Sequence, residues 1–134
     1  SLANFEVLSP HVPITLIGGE YRPHRKDFSG YLAELALSRV HFTKCFLGTD
    51  GCDMKKFFTT TDFDTARMDE RAMRNSDETI ILCASDKFSS CAQVGYASFE
   101  DVDKIVTDTG VEKEVCDKLE SSGIQVIKAE AVPL

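Results

Sequence analysis

The sequence has no run of lysine or arginine longer than the pairs Arg25-Lys26 and Lys55-Lys56, and its 15 basic residues face 22 acidic ones, for a formal net charge of −7. A duplex-binding surface needs a concentrated basic face to displace counterions from phosphates, so this chain is not expected to hold DNA by itself. The cysteines also lack the spacing of a metal or disulfide framework. There are five, Cys45, Cys52, Cys83, Cys91 and Cys116, an odd number with no C-x-x-C pair. Cys45 and Cys83 lie among apolar neighbours, which suits reduced thiols used as small core residues in a reducing compartment. No apolar run is long enough to span a bilayer, and Ser1-Leu2-Ala3-Asn4 lacks the basic and apolar regions of a signal peptide. A cytoplasmic protein with no membrane partner is expected. Repeats, low-complexity tracts and interdomain linkers are missing as well, so the 134 residues, 43% of them hydrophobic, are read as one domain with one core.

What the sequence does contain is a series of short apolar runs rich in β-branched residues: Ile14–Ile17, Lys44–Leu47, Thr79–Cys83, Lys104–Thr107 and Gln125–Ile127. They alternate with segments of helical periodicity, which predicts an α/β fold, a mainly parallel sheet flanked by helices. Near-continuous apolarity predicts strands covered on both faces. A first helix is expected over Ser29–Arg39, with Tyr31, Leu32, Leu35 and Ala36 spaced to share one face. A second, capped by Thr61 or Asp62, should run to about Ser76 and bury Phe63, Ala66 and Met73, with Asp69 and Glu70 among polar neighbours. A third is expected over Val111–Ser121, with Val115 and Leu119 four apart and Gly123 as its stop. Gly18–Phe28 and Thr49–Thr61 read as the two long loops.

Ligands of open parallel sheets sit beyond the carboxyl ends of strands, which directs attention to the loops after each run. Gly18-Gly19-Glu20-Tyr21-Arg22 offers a close backbone approach and a cation for phosphate or carboxylate, or it is an ordinary turn with a solvated arginine. Gly48-Thr49-Asp50-Gly51-Cys52-Asp53 sets two carboxylates three residues apart, suited to sugar hydroxyls or proton transfer, or it is simply turn-forming. Lys87, after the longest run, is placed to meet an anion, or else it pairs with Asp86 at the surface. Thr59-Thr60-Thr61 precedes a helix start that serves an anion or only a cap. Glu70 and Arg71 face either that site or solvent. His11, His24 and His41 form no metal or nucleophile constellation and read as surface residues.

Taken in order, these segments resemble the C-terminal effector-binding domain of DeoR-family transcriptional repressors. The resemblance is carried by Ile14-Thr15-Leu16-Ile17-Gly18-Gly19-Glu20-Tyr21-Arg22, Phe28-Ser29-Gly30-Tyr31-Leu32-Ala33-Glu34, Phe46-Leu47-Gly48-Thr49-Asp50-Gly51-Cys52-Asp53, Thr59-Thr60-Thr61 with Glu70-Arg71-Ala72-Met73, Ser85-Asp86-Lys87-Phe88 and Ile105-Val106-Thr107-Asp108. It implies a fold similar to sugar phosphate isomerases and CoA transferases, and a pocket that binds a phosphorylated sugar. Asp50, Asp53 and Lys87 are the implied pocket residues, joined by Gly18, Gly19, Arg22, Thr60 and Glu70. The family usually has an Asp where Ala84 stands. Residues 1–134 are expected to form a single effector-binding domain without the family's N-terminal helix-turn-helix and first strand, leaving an edge or apolar surface for a partner copy.

Three functions follow as expectations. The first is a sensor whose sugar phosphate modulates DNA binding by the helix-turn-helix of a homo-oligomeric regulator of sugar metabolism. The second is a sugar phosphate isomerase or deaminase using Asp50, Asp53 or Glu70 as base. The glycine-rich, lysine-bearing loop of the isomerases is replaced here by Phe57–Asp62, which has neither residue, so no catalytic residue is expected; the cysteine and histidine spacing points to no metal, and no cofactor is expected. The third is an oligomerisation module with no ligand.

Overall fold

Four of the five β-branched runs become parallel strands in the computed structural model, which describes residues 1–55 and 57–130. The chain order is α1 (Leu2–Leu8), β1 (Glu20–Arg22), β2 (Asp27–Ser29), α2 (Tyr31–Leu37), β3 (Phe42–Gly48), β4 (Gly51–Asp53), β5 (Phe57–Thr60), α3 (Phe63–Arg74), β6 (Ser76–Leu82), β7 (Val94–Ser98), β8 (Lys104–Asp108), α4 (Lys113–Ser121) and β9 (Gln125–Ala129). Short 3₁₀ turns occupy Ser85–Ser89 and Phe99–Asp101. Lys56 of the Lys55-Lys56 pair and residues 131–134 lie outside the described residues.

The parallel sheet has the order β3-β6-β8-β9, with Leu47 beside Ile81 and Ile81 beside Ile105. These three side chains share one face with Cys45 and Cys83, and over that face pack Phe58, Tyr96, Ala66, Cys116 and Leu119. Phe58, fully buried, meets Phe99 with ring centroids 5.3 Å apart, a separation at which tilted rings attract. The third helix matches its expected register: Leu119 is fully buried, and Gly123 at φ +90 lets the Ile124 N–H reach the Leu119 carbonyl at 3.1 Å. Cys45, Cys52, Cys83 and Cys116 are buried, Cys91 is exposed, and all five are free thiols.

The structure corrects several expectations. Ile14–Ile17 is not a strand: it pairs with no neighbour among the described residues, and Ile14 and Leu16 are exposed. Apolar composition selects extended backbone, but a strand exists only where a ladder partner stands alongside it. The two expected loops contain strands. Gly18–Phe28 holds β1 and the start of β2, an antiparallel hairpin, and Thr49–Thr61 holds β4 and β5, which join β7 in a separate antiparallel sheet. Nor is the parallel sheet covered throughout on both faces, although Ile80 on the far face is buried. Phe46 at 59% exposure and Leu82 at 48% lie on the side opposite the core, beside a Glu78 carboxylate held between Lys44 and Lys104. On α2 the buried residue is Ala33, and of the apolar residues expected to share a face Tyr31, Leu32 and Leu35 are exposed and Ala36 is half-buried. Phe63 is exposed as well, at the first position of α3, while Ala66 is buried as expected. Periodicity shows that a helix has an apolar stripe, and packing decides which side is covered.

Candidate functional site

The strongest concentration of charge lies beyond the carboxyl end of β3, where the β1–β2 hairpin leans on the amino end of α3. Asp62 caps α3, its Oδ1 accepting from the Thr65 N–H at 2.8 Å and its Oδ2 from the Thr65 hydroxyl at 2.8 Å. Arg22 reaches across from the hairpin. Its Nε and Nη2 donate to the two Asp27 oxygens at 2.7 Å each, Nη1 to Asp62 Oδ1 at 2.9 Å, and Nη2 also to the Thr65 hydroxyl at 3.0 Å. The hydrogen bond to Asp27 is the main reason its guanidinium is held above its ordinary pKa. Burial alone would raise the Asp27 and Asp62 carboxyls, but Arg22 on the first, and Thr65 with Arg22 on the second, bring both below their ordinary values.

Asp50 follows β3. Its Oδ2 accepts from the Thr60 hydroxyl at 2.9 Å, the Thr61 N–H at 3.0 Å and the Thr61 hydroxyl at 3.2 Å. Burial works against ionisation here too, yet these donors and the nearby Arg25 charge keep the carboxyl low. Arg25 is less committed than Arg22. It donates to the Thr61 hydroxyl at 3.0 Å and stands 3.4 to 3.7 Å from Asp27, Asp50 and Asp62.

Together, Arg25, Asp27, Thr49, Asp50, Thr60, Thr65 and Asp69 line an open cleft of about 400 Å³, bordered by Ser1, Asn4 and the β3 residues Phe46, Leu47 and Gly48. Asp69 is the member that sequence reasoning passed over. It lies one helical turn beyond Thr65 and two turns beyond the Asp62 cap, on the same side of α3. Burial raises its carboxyl to about 7; Arg25 and Arg22 pull it down, and Asp50 and Asp62 push it further up. The spacing Asp62, Thr65, Asp69 puts the three on one helix face, because residues three and four apart stack, but does not by itself distinguish Asp69 from the other polar residues of α3.

Of the residues expected at the site, Asp50 and Thr60 line this cleft. Arg22 stands at its back, four of its N–H···O bonds already made within the protein. Gly18 and Gly19 lead into β1 and do not line the cleft; a Cβ on Gly19 would collide with the Ser29 carbonyl oxygen, so the tight approach there is of protein to protein. Asp53 ends β4 and accepts from the Lys55 N–H at 2.9 Å, a local turn bond. Lys87 sits on the 3₁₀ turn after β6, its ammonium 3.5 Å from Asp86. The Cys52 N–H of β4 donates to Ser90 at 2.7 Å, where Gly51 leaves no room for a side chain, so the Asp53 and Lys87 segments are neighbours. Neither Asp53 nor Lys87 lines the cleft. Glu70, about 100° around α3 from Asp69, lines a separate cavity of about 430 Å³ near the amino ends of β6 and β8 with Asp77, Asp101 and Asp103.

No group of His, Cys, Asp and Glu suited to a metal ion occurs among the described residues. His11 and His24 are exposed, and His41, also exposed, lies 3.0 Å from Asp77. Burial pushes the Cys52 and Cys83 thiols up to about 12, away from nucleophile chemistry. No helix among the described residues is long and apolar enough to cross a membrane.

Comparison with known proteins adds a family. The model of the DeoR C terminal sensor domain matches residues 1–109. The HTH-type transcriptional regulator GlpR of Haloferax volcanii is 30% identical over 118 residues, 88% of this chain and 46% of its own length. A putative aga operon transcriptional repressor of Escherichia coli O157:H7 is 28% identical over 127 residues, 95% of this chain and 47% of its own. The lactose phosphotransferase system repressor of Staphylococcus aureus is 26% identical over 110 residues, 82% and 43%. The chain thus spans about half the length of the curated relatives it matches.

Proposed function

The chain belongs to the DeoR C-terminal sensor domain family, and from that premise we propose that it is the ligand-sensing module of a transcription regulator of sugar metabolism, taking a phosphorylated sugar in the cleft beyond β3. The observation that carries this reading is the convergence of Asp50, Thr60, Asp69 and Arg25 on one open space at a strand's carboxyl end. Carboxylates and threonine hydroxyls accept and donate the bonds that a polyol presents. Arg25 supplies the complementary charge. Its contacts of 3.4 to 3.7 Å to three carboxylates are longer than its 3.0 Å bond to Thr61, so the guanidinium is able to turn toward a phosphate with little loss.

With a net charge of −7, the domain is unsuited to holding DNA itself. In this reading the effector binds one arrangement of a cytoplasmic homo-oligomer better than another and so shifts how the DNA-binding portions are held, by no more than its preference between the two. The fold is read as similar to that of sugar phosphate isomerases, without their turnover. The names of the aga operon and lactose phosphotransferase repressors support a carbohydrate-derived effector.

Thermal unfolding with a panel of triose, pentose and hexose phosphates, each beside its unphosphorylated sugar, tests this function. At least one phosphate should raise the midpoint by mass action and its parent sugar much less. No shift across the panel overturns the reading in favour of an oligomerisation module, and conversion of any member to product overturns it in favour of an isomerase or deaminase.

A further inference from the structure

We propose that the cleft takes up its anionic ligand together with one proton, and that Asp69 is the residue that holds the proton. This rests on the reading of the cleft as the effector site. Asp69 differs from the other carboxylates around it. Asp27 and Asp62 are paired with Arg22, and Asp50 has three hydrogen-bond donors. Asp69 lines the same cleft, and no hydrogen bond or ion pair to its carboxylate occurs among the described residues.

The charges facing Asp69 explain why a proton belongs there. The hairpin brings Arg22, Arg25 and Asp27; the turn after β3 brings Asp50; the start of its own helix brings Asp62; and the Ser1 amino group borders the cleft beside α1. From β7 comes the Tyr96 phenol, which donates to the Gly48 carbonyl at 2.8 Å and which burial keeps neutral. Two guanidiniums therefore face three carboxylates that are already bound to donors, and Asp69 would be a fourth. An anion entering this space meets a surplus of negative charge. Removing it at Asp27, Asp50 or Asp62 breaks existing bonds, whereas protonating Asp69 breaks none. The protonated carboxyl also changes from acceptor to donor, and an O–H···O⁻ bond to a phosphate is of the short, charge-assisted kind. Burial has already brought the Asp69 carboxyl to about 7, so the proton is readily held near neutrality.

The step is balanced by a proton from the buffer. Asp69 carboxylate, H⁺ and ligand anion become the complex, and the new O–H bond is the only covalent change. Linkage then requires affinity for a dianionic ligand to fall toward tenfold per pH unit above about pH 7. A phosphate monoester is mostly dianionic there, since its second pKa is about 6, and contributes little to that slope.

Calorimetric titration of the chain at pH 8, with the same phosphate panel and inorganic phosphate, in two buffers of different ionisation enthalpy, counts the protons directly. We expect uptake of about one proton per bound ligand, and an affinity that falls close to tenfold between about pH 7.5 and 8.5. Asp69→Asn should still bind, with no uptake and a flat profile over that range. Wild-type binding without proton uptake sinks the role of Asp69 and leaves the effector site standing, and that measurement needs no variant to fold. Uptake that persists in Asp69→Asn also assigns the proton elsewhere. If no panel member binds at any pH from 6 to 8, the effector-site reading falls, and this proposal with it.

Discussion

The Arg22 guanidinium meets the Asp27 carboxylate at two points, Nε to Oδ1 and Nη2 to Oδ2, each at 2.7 Å. Because the same guanidinium also donates to Asp62 and Thr65, it fastens the β1–β2 hairpin to the cap of α3. Lysine keeps the charge but cannot form the fork. Arg22→Lys should lower stability to urea by about 1.5–3 kcal/mol, the range for hydrogen bonds to charged groups, and loosen the hairpin before the sheet. A melt unchanged by the substitution would show that the contact is not structural.

Acid should unfasten the same region. Asp27, Asp50 and Asp62 are held below their ordinary value of 3.8, so each contributes stability that is present above that value and lost as pH falls through its folded pKa. Stability measured from pH 5 down to pH 2 should therefore fall, and Asp27→Asn, which removes one of these groups, should flatten the decline.

Asp69 predicts the opposite sign. Its carboxyl is raised from 3.8 to about 7 in the folded chain, so the penalty for folding with it ionised is absent below about pH 4, grows from there to pH 7, and is complete above. Asp69→Asn should then be neutral at pH 4 and stabilising at pH 8. The roughly three-unit displacement at about 1.4 kcal/mol per unit sets an upper bound of about 4 kcal/mol on the gain. Denaturation at the two pH values checks it.

These residues also show what the sequence could and could not reveal. The runs of β3, β6, β8 and β9 were legible because β-branched and apolar residues favour extended backbone, even where, as in β9, the strand is mostly exposed, and Leu119 and Gly123 were legible because helical spacing and a positive φ leave plain marks. Ile14–Ile17 had the same composition but no ladder partner, which composition does not encode. Gly51-Cys52-Asp53 read as turn formers, yet they make a strand because Phe57–Thr59 lies antiparallel beside them. Asp50 could be marked as a cleft residue from its place after a strand, and Thr60 from its place before a helix start. Asp69 could not be singled out among the polar residues of α3 until the hairpin, the β3 turn and the helix cap were seen to surround it.

Exposure separates two leucines that the sequence treats alike. Leu32 is 70% exposed on α2 and Leu119 is fully buried beneath α4. Leu32→Ala should change stability by no more than about 0.5 kcal/mol, as an uncovered side chain does, whereas Leu119→Ala should cost about 2–5 kcal/mol for a cavity in the core. Equal losses would mean that α2 is covered in solution, and a concentration-dependent melt would then identify the cover as another copy of the chain.

Thiol chemistry offers a last check on the packing of both sheets at once. Cys45 and Cys83 lie on the core side of the parallel sheet, Cys52 on the antiparallel one and Cys116 on α4, all buried; burial raises Cys52 and Cys83 to about 12. Only a thiolate attacks a disulfide reagent at a useful rate, and it must also be reached. At pH 8 an aromatic disulfide should therefore label Cys91 quickly and the other four only on unfolding, with the slow phase tracking the denaturant curve. Rapid labelling of Cys52 in the folded chain would mean that the antiparallel sheet opens independently of the core. The Cys52 N–H bond to Ser90, which joins that sheet to the turn carrying Lys87, would then be transient as well.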